Sequence, residues 1–167
     1  MVCVETFRAA LGELAAGVNI VTTCLGDERR GITATAVTSV CAEPATVLAC
    51  TNMNTGTYHM IRDSGRFAIN MLGSEHRAVA ETFAGRGGIT GDDRFRTGAW
   101  GTGTALGLPI LGGTSALECE VSQIVNAGTH AVIFGQIKGA TLNRIDPLVY
   151  HAGAFRSLVD MQARLAS

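Results

Sequence analysis

Hydrophobic positions along the chain follow two different spacings. Phe7, Ala10, Leu11 and Leu14 recur at i, i+3, i+4 and i+7, which predicts an amphipathic helix stopped by Gly17. Residues 18–25 (VNIVTTCL) are rich in β-branched side chains and predict a strand. After a charged turn at residues 27–31, a second strand runs over residues 32–37. Pro44 breaks the chain before a buried strand at residues 45–51. Asn54 or Thr55 is placed to cap a short helix over residues 58–61, closed by Gly65. Residues 67–72 predict another strand, and Ser74 is placed to cap a helix carrying Ala78, Val79, Thr82 and Phe83. Over residues 115–125 the pattern alternates: Leu117, Cys119 and Val121 share one face, Glu118, Glu120 and Ser122 the other. One face of that strand is therefore expected to be buried. Further strands follow at residues 130–138 and 148–151, with Gly128 and Thr129 in the turn before the first of them.

Several strands joined by short turns, with two or three short helices, predict a mainly β fold, an antiparallel barrel with helical decoration. The β-α alternation of the first half leaves a parallel α/β sheet as the alternative. The length of 167 residues fits a single domain, 1–167. Residues 85–113 fit neither period and hold 10 of the 21 glycines. A stretch that long without pattern is expected to be functional or mobile.

Composition narrows the function. Thirteen basic and 14 acidic side chains give a net charge of −1, which argues against a nucleic-acid partner. No run of apolar residues is long enough for a membrane helix, and the first residues lack a secretory pattern, so a cytoplasmic location is expected. With 47% hydrophobic and 16% charged residues, some apolar surface is expected to be covered by a second subunit. The five cysteines are odd in number and widely spaced, as reduced thiols are. The four histidines form no metal-ligand cluster. Lys138 is the only lysine and lacks the glycine-rich approach of a phosphate loop. The glycines at 101, 103 and 107 miss the dinucleotide fingerprint, and Pro109 blocks the helix that should follow.

The informative segment is residues 31–41 (GITATAVTSVC). Thr33, Thr35, Thr38 and Ser39 supply four hydroxyls, spaced by the small Ala34 and Ala36. Small side chains let the backbone approach a flat ligand, and hydroxyls satisfy ligand oxygens without charge. Asn54, Thr55 and Thr57 stand at a helix N-terminus, where free N–H groups and the helix dipole favour a phosphate. The same residues also read as ordinary strand threonines and a plain cap, and spacing alone does not separate the two.

These motifs resemble the short flavin reductases that serve two-component monooxygenases. The likeness spans nearly the whole chain: GITATAVTSV with Pro44 and the strand ATVLAC, Asn54-Thr-x-Thr57, Phe83-Ala-Gly85, Arg94-Phe95, Leu117-Glu-Cys, Gly128-Thr-His130 and Tyr150-x-x-Gly-x-Phe155. The resemblance implies a split β-barrel, a homodimer, and bound FMN or FAD reduced by NADH, with NADPH as a possibility. It implies that Thr33, Ala34, Thr35 and Ala36 lie against the flavin ring, with Ser39 and Val40 along the ribityl chain or ring edge. Asn54, Thr55 and Thr57 are expected to hold the phosphate, and Phe83, Ala84, Gly85 and Arg94 to close over that side. His130 and Phe155 are expected to face the pyridine nucleotide, His130 being the one catalytic candidate. The sequence departs from the family where many members have Gly-Asp-His: Thr129 replaces a carboxylate that would orient the histidine. The expected activity is hydride transfer from nicotinamide C4 to flavin N5, delivering reduced flavin to a monooxygenase component. The alternatives are an electron carrier with tightly held FMN and no pyridine-nucleotide site, or a non-catalytic barrel subunit.

Overall fold

A computed structural model describes residues 2–158. Among the described residues there are three α-helices: α1 (Val4–Gly12), α2 (Gly56–Ser64) and α3 (Arg77–Phe83). The strands are β1 (Ala16–Gly17), β2 (Asn19–Leu25), β3 (Glu28–Ala34), β4 (Val37–Ala42), β5 (Ala45–Asn52) and β6 (Arg66–Met71). They continue with β7 (Trp100–Thr102), β8 (Pro109–Leu111), β9 (Ser115–Ala127), β10 (His130–Thr141), β11 (Leu148–His151) and β12 (Ala154–Ser157).

Seven strands form one sheet in the order β3-β2-β6-β9-β10-β5-β4, and every neighbouring pair is antiparallel. The parallel α/β alternative is thereby excluded. The two edge strands, β3 and β4, are consecutive in the chain and joined only by Thr35 and Ala36. The sheet must therefore curl until its edges lie side by side. The two edges are not paired with each other; the Cys50 N–H, donating to the Ala36 carbonyl at 2.9 Å, extends the β4–β5 ladder by one residue toward the break. The result is a barrel split along one seam, as expected of the mainly β reading. The expected strand at 32–37 is thus two strands with a break at residues 35 and 36.

Two apolar clusters hold the fold. Val21, Phe67, Ile69 and Ile133 fill the inside of the curled sheet. Val18, Ile20, Leu72, Val79, Phe83 and Leu111 pack between the sheet, α3 and the glycine-rich segment. Phe83 and Phe95 meet edge to face at 5.1 Å, so the glycine-rich segment carries its own anchor.

Three sequence expectations need correction. The first helix ends at Gly12, not Gly17, and none of its residues is buried: Phe7 is 58% exposed. Ser74 lies inside a short 3-10 turn whose cap is Gly73, so it does not cap α3. Glu118 does not face solvent. It is 6% exposed and accepts hydrogen bonds from the backbone N–H groups of Ala105 and Leu106 at 3.0 and 2.7 Å. One buried carboxylate thereby organises a turn for which the sequence shows no periodicity.

Candidate active site

A cavity of about 600 Å³ opens along the seam. Its walls come from the end of β3 and its link to β4, from the N-terminus of α2, and from the segment after α3. The seam explains the cavity. A strand residue points its N–H and C=O to the same edge. Gly31, on edge strand β3, offers its carbonyl outward to Arg94 Nη1 at 3.1 Å, so Thr33 two residues on presents its backbone to the cavity side. Gly31 also permits close packing, since a Cβ there would lie 2.7 Å from the Phe83 ring.

One end of the cavity is electropositive. Thr55 caps α2: its hydroxyl accepts from the Tyr58 N–H and donates to the Asn52 carbonyl. The N–H groups of Gly56 and Thr57 open the helix and have no partner within it. No acidic residue occupies the first turn. Arg30 lies there instead, its Nε 3.6 Å from the position of a Cβ on Gly56. Arg30 Nη1 donates to the Arg29 carbonyl and Nη2 to Glu28, which leaves Nε without an acceptor among the described residues. A cation against the positive end of a helix is unfavourable by itself. The arrangement favours an anion placed between the two. Thr57 lines the cavity, is 3% exposed, and makes no side-chain hydrogen bond among the described residues. Arg94 closes the same side, donating to the carbonyls of Ile89, Gly31 and Phe83 at 3.0 to 3.1 Å. Burial lowers the Arg94 pKa, but a guanidinium keeps its charge at neutral pH.

The other end is small and neutral. Ala34, Thr35 and Ala36 line it, with Cys50 and His130 opposite. His130 opens β10 and is exposed, and its Nδ1 lies 2.9 Å from the Thr129 hydroxyl. The threonine thus orients the imidazole where a carboxylate would otherwise stand.

The cavity gains its meaning from the chain's relatives. A family model described as a flavin reductase like domain matches residues 11–159. The chain belongs to the flavin reductase family. It is 42% identical over 139 residues to the reductase component of 4-hydroxyphenylacetate 3-monooxygenase from Salmonella typhimurium, covering 83% of this chain and 81% of that one. It is 34% identical over 158 residues to an NADH-dependent FMN reductase of Bradyrhizobium diazoefficiens, covering 92% and 85%. Among solved structures, the flavin reductase component of a bacterial two-component tryptophan halogenase superposes with a TM-score of 0.86 at 30% identity, covering 93% of this chain and 98% of that one. The NADH:FAD oxidoreductase of Streptomyces globisporus C-1027 gives a TM-score of 0.85 at 28% identity, with 93% of each chain covered.

In this flavin reductase the structure brings together Thr33, Ala34, Thr35, Ala36, Thr55, Thr57, Phe83, Ala84, Arg94 and His130 around one cavity. Ser39 and Val40 lie outside it, on the exposed edge strand β4. Asn54 is exposed beyond the cap, where its N–H donates to the Asn52 side chain. Gly85 adjoins the wall through Arg94, and Phe155 lines a neighbouring chamber. Two of the expected ligand hydroxyls are already used: Thr33 donates to the Ala80 carbonyl at 2.6 Å and Thr55 is spent on the cap. Arg30, Cys50 and Asn52 line the cavity without having been singled out in the sequence. Arg30 reads as part of a charged turn, and only the pairing of β2 with β3 turns it toward α2.

Proposed function

We propose that this chain is an NAD(P)H:flavin oxidoreductase that supplies reduced FMN or FAD to a partner monooxygenase. The observation that carries this reading is the two-ended cavity: an anion seat at α2, Arg30 and Arg94, continuous with a small neutral floor at residues 33–36. The seat suits the flavin phosphate, and the floor suits a flat ring that needs close backbone approach. NADH is the expected reductant, as the names of several relatives indicate.

With both cofactors bound, hydride passes from nicotinamide C4 to flavin N5, and that chemistry belongs to the cofactors. The chain's residues bind and orient. Thr57 and the opening N–H groups of α2 hold the phosphate, and Arg30 and Arg94 balance its charge. The outward backbone of Thr33 and the alanines at 34 and 36 fix the ring plane. His130, steadied by Thr129, stands at the rim facing the pyridine nucleotide as a hydrogen-bonding group. No side chain is required to move a proton at the ring, which agrees with a floor lacking acid or base. The protein acts as a homodimer in this reading, because Val40 on β4 and Val125 on β9 are exposed at 45% and 41%.

The test is anaerobic mixing of the purified protein with NADH and with FMN or FAD. Catalytic bleaching of flavin absorbance over many turnovers supports a reductase. One stoichiometric bleaching of a permanently bound FMN, or none, would instead favour an electron carrier or a non-catalytic subunit.

A further inference from the structure

The neighbouring guanidinium groups of Arg29 and Arg30 on β3 are used differently. Arg29 fills the fork formed by its Nε and Nη2, which both donate to the Asp92 carboxylate at 2.8 Å. Arg30 projects from the other face of the strand and lies against the N-terminus of α2. Its Nη2 donates to Glu28 Oε2 at 3.0 Å and its Nη1 to the Arg29 carbonyl at 2.8 Å, while Nε has no acceptor among the described residues. The fork of Arg30 is thus half occupied, and Glu28 occupies it. Glycines flank the guanidinium: a Cβ on Gly56 would lie 3.6 Å from Nε and one on Gly91 3.9 Å from Nη1. Neither glycine offers a side chain to block a small turn of the group. The other charges nearby are committed. Asp93 pairs with Arg96 at 3.0 Å, and Arg94 donates to three carbonyls. No acidic residue lines the cavity itself. Glu28 shares a strand face with Arg30, two residues away, and its side chain is 68% exposed.

We propose that Glu28 is an internal competitor for the flavin phosphate: it holds half of the Arg30 fork, limits the affinity for phosphorylated flavins and speeds their release. The inference rests on the reductase reading, which puts a flavin phosphate between α2 and Arg30. A guanidinium recognises a phosphate side-on through two parallel N–H groups, as Arg29 recognises the Asp92 carboxylate. At Arg30 the second of these becomes available only when Glu28 lets go. Held 3.0 Å from Arg30, the Glu28 carboxylate also repels an anion placed on the same guanidinium. Both effects grow with the charge of the phosphate. The terminal phosphate of FMN carries roughly two charges at neutral pH, the flavin-side phosphate of FAD carries about one, and riboflavin has none. Glu28 therefore penalises FMN most, which makes it a determinant of the preference between flavins as well as of their release.

The experiment compares the wild type with Glu28→Gln and Glu28→Asp. Kd for FMN, FAD and riboflavin is measured by fluorescence titration without NADH, and the FMN dissociation rate by stopped flow. Glu28 is exposed, so both variants are expected to fold, with unchanged circular dichroism as the check. In Glu28→Gln, FMN should bind about three- to five-fold more tightly and leave more slowly by a similar factor. FAD should gain about two-fold on the same scale, and riboflavin should be unchanged. The gain should shrink as salt is added. Glu28→Asp keeps the charge and should stay close to the wild type. FMN binding that is unchanged or weakened in Glu28→Gln would overturn the proposal, as would an equal gain for riboflavin. If the wild type binds none of the three flavins, it is the reductase reading that fails, and thermal melts with inorganic phosphate then decide on Glu28. A larger stabilisation of Glu28→Gln than of wild type upholds competition at the seat, and equal stabilisation overturns it.

Discussion

The two ends of the main cavity are built by opposite means. At α2 the site is made of charge and dipole: an open helix end, an unpartnered Thr57 hydroxyl, Arg30 and Arg94. At residues 33–36 it is made of absence: alanines, a glycine nearby and an unpaired strand edge. A helix end recognises charge and tolerates small changes of shape. A floor of small residues recognises shape and is indifferent to charge. Substitutions at the two ends should therefore discriminate between flavins that differ in only one of these properties.

The largest effect is expected at the floor. Ala36 is exposed to the cavity, so a larger side chain there fills ligand space, whereas Ala34 belongs to the core. Ala36→Leu should weaken FMN and riboflavin alike by about 1–3 kcal/mol, the cost of overpacking. Fluorescence titration of both ligands, with the melting temperature as a control, checks it. Loss for FMN alone would erase the distinction between the ends.

At the helix end, Arg30→Gln removes a cation but leaves the helix cap intact. FMN binding should weaken by about 1–2 kcal/mol, less at high salt, with riboflavin nearly unchanged. The same variant should raise stability slightly when no anion is present, because it relieves the cation against the helix N-terminus. Thermal melts with and without phosphate read both signs.

The smallest effect is expected at the loop that carries Arg94. Arg29 makes two 2.8 Å hydrogen bonds to Asp92, and its guanidinium sits 4.5 Å over Phe95, tying the loop to β3. The hydrogen bond from Arg29 holds the Asp92 carboxyl below its ordinary pKa. Its contribution is therefore present above about pH 4 and lost as the pH falls through the lowered value. Both side chains are substantially exposed, so Asp92→Asn should cost at most about 1 kcal/mol. Between pH 5 and 8 the difference between variant and wild type should stay flat, as measured by denaturant titration.

The same contrast governs how much the sequence discloses. Helix α2 was readable because its signals are local: Thr55 caps it and Gly65 closes it with φ of +68°. Strands β2 and β6 were readable as short runs of apolar and β-branched residues, and both are buried almost without a break. Glu118 was misplaced because its partners, Ala105 and Leu106, come from a segment without period, and alternation assigns a carboxylate to solvent by default. The break at residues 35 and 36 was invisible for a similar reason. Both flanks are β-formers, and only closure of the sheet turns one strand into two edges. Arg30 needed the β2–β3 register, and Ser39 and Val40 were expected beside the ring though β4 carries them outside the cavity. Residues placed by neighbours close in sequence were legible, and those placed by strand pairing, such as Arg30 and Glu118, were not.

Thr57 offers the most direct test of the central claim, that one end of this cavity is a seat for the flavin phosphate. Thr57→Val keeps the shape and β-branching of a buried residue and deletes only its unpartnered hydroxyl. Binding of FMN and riboflavin to wild type and variant is compared by fluorescence titration. FMN should weaken by about 1–2 kcal/mol while riboflavin holds its affinity. Equal change for the two flavins, or none for FMN in a folded variant, would contradict the assignment.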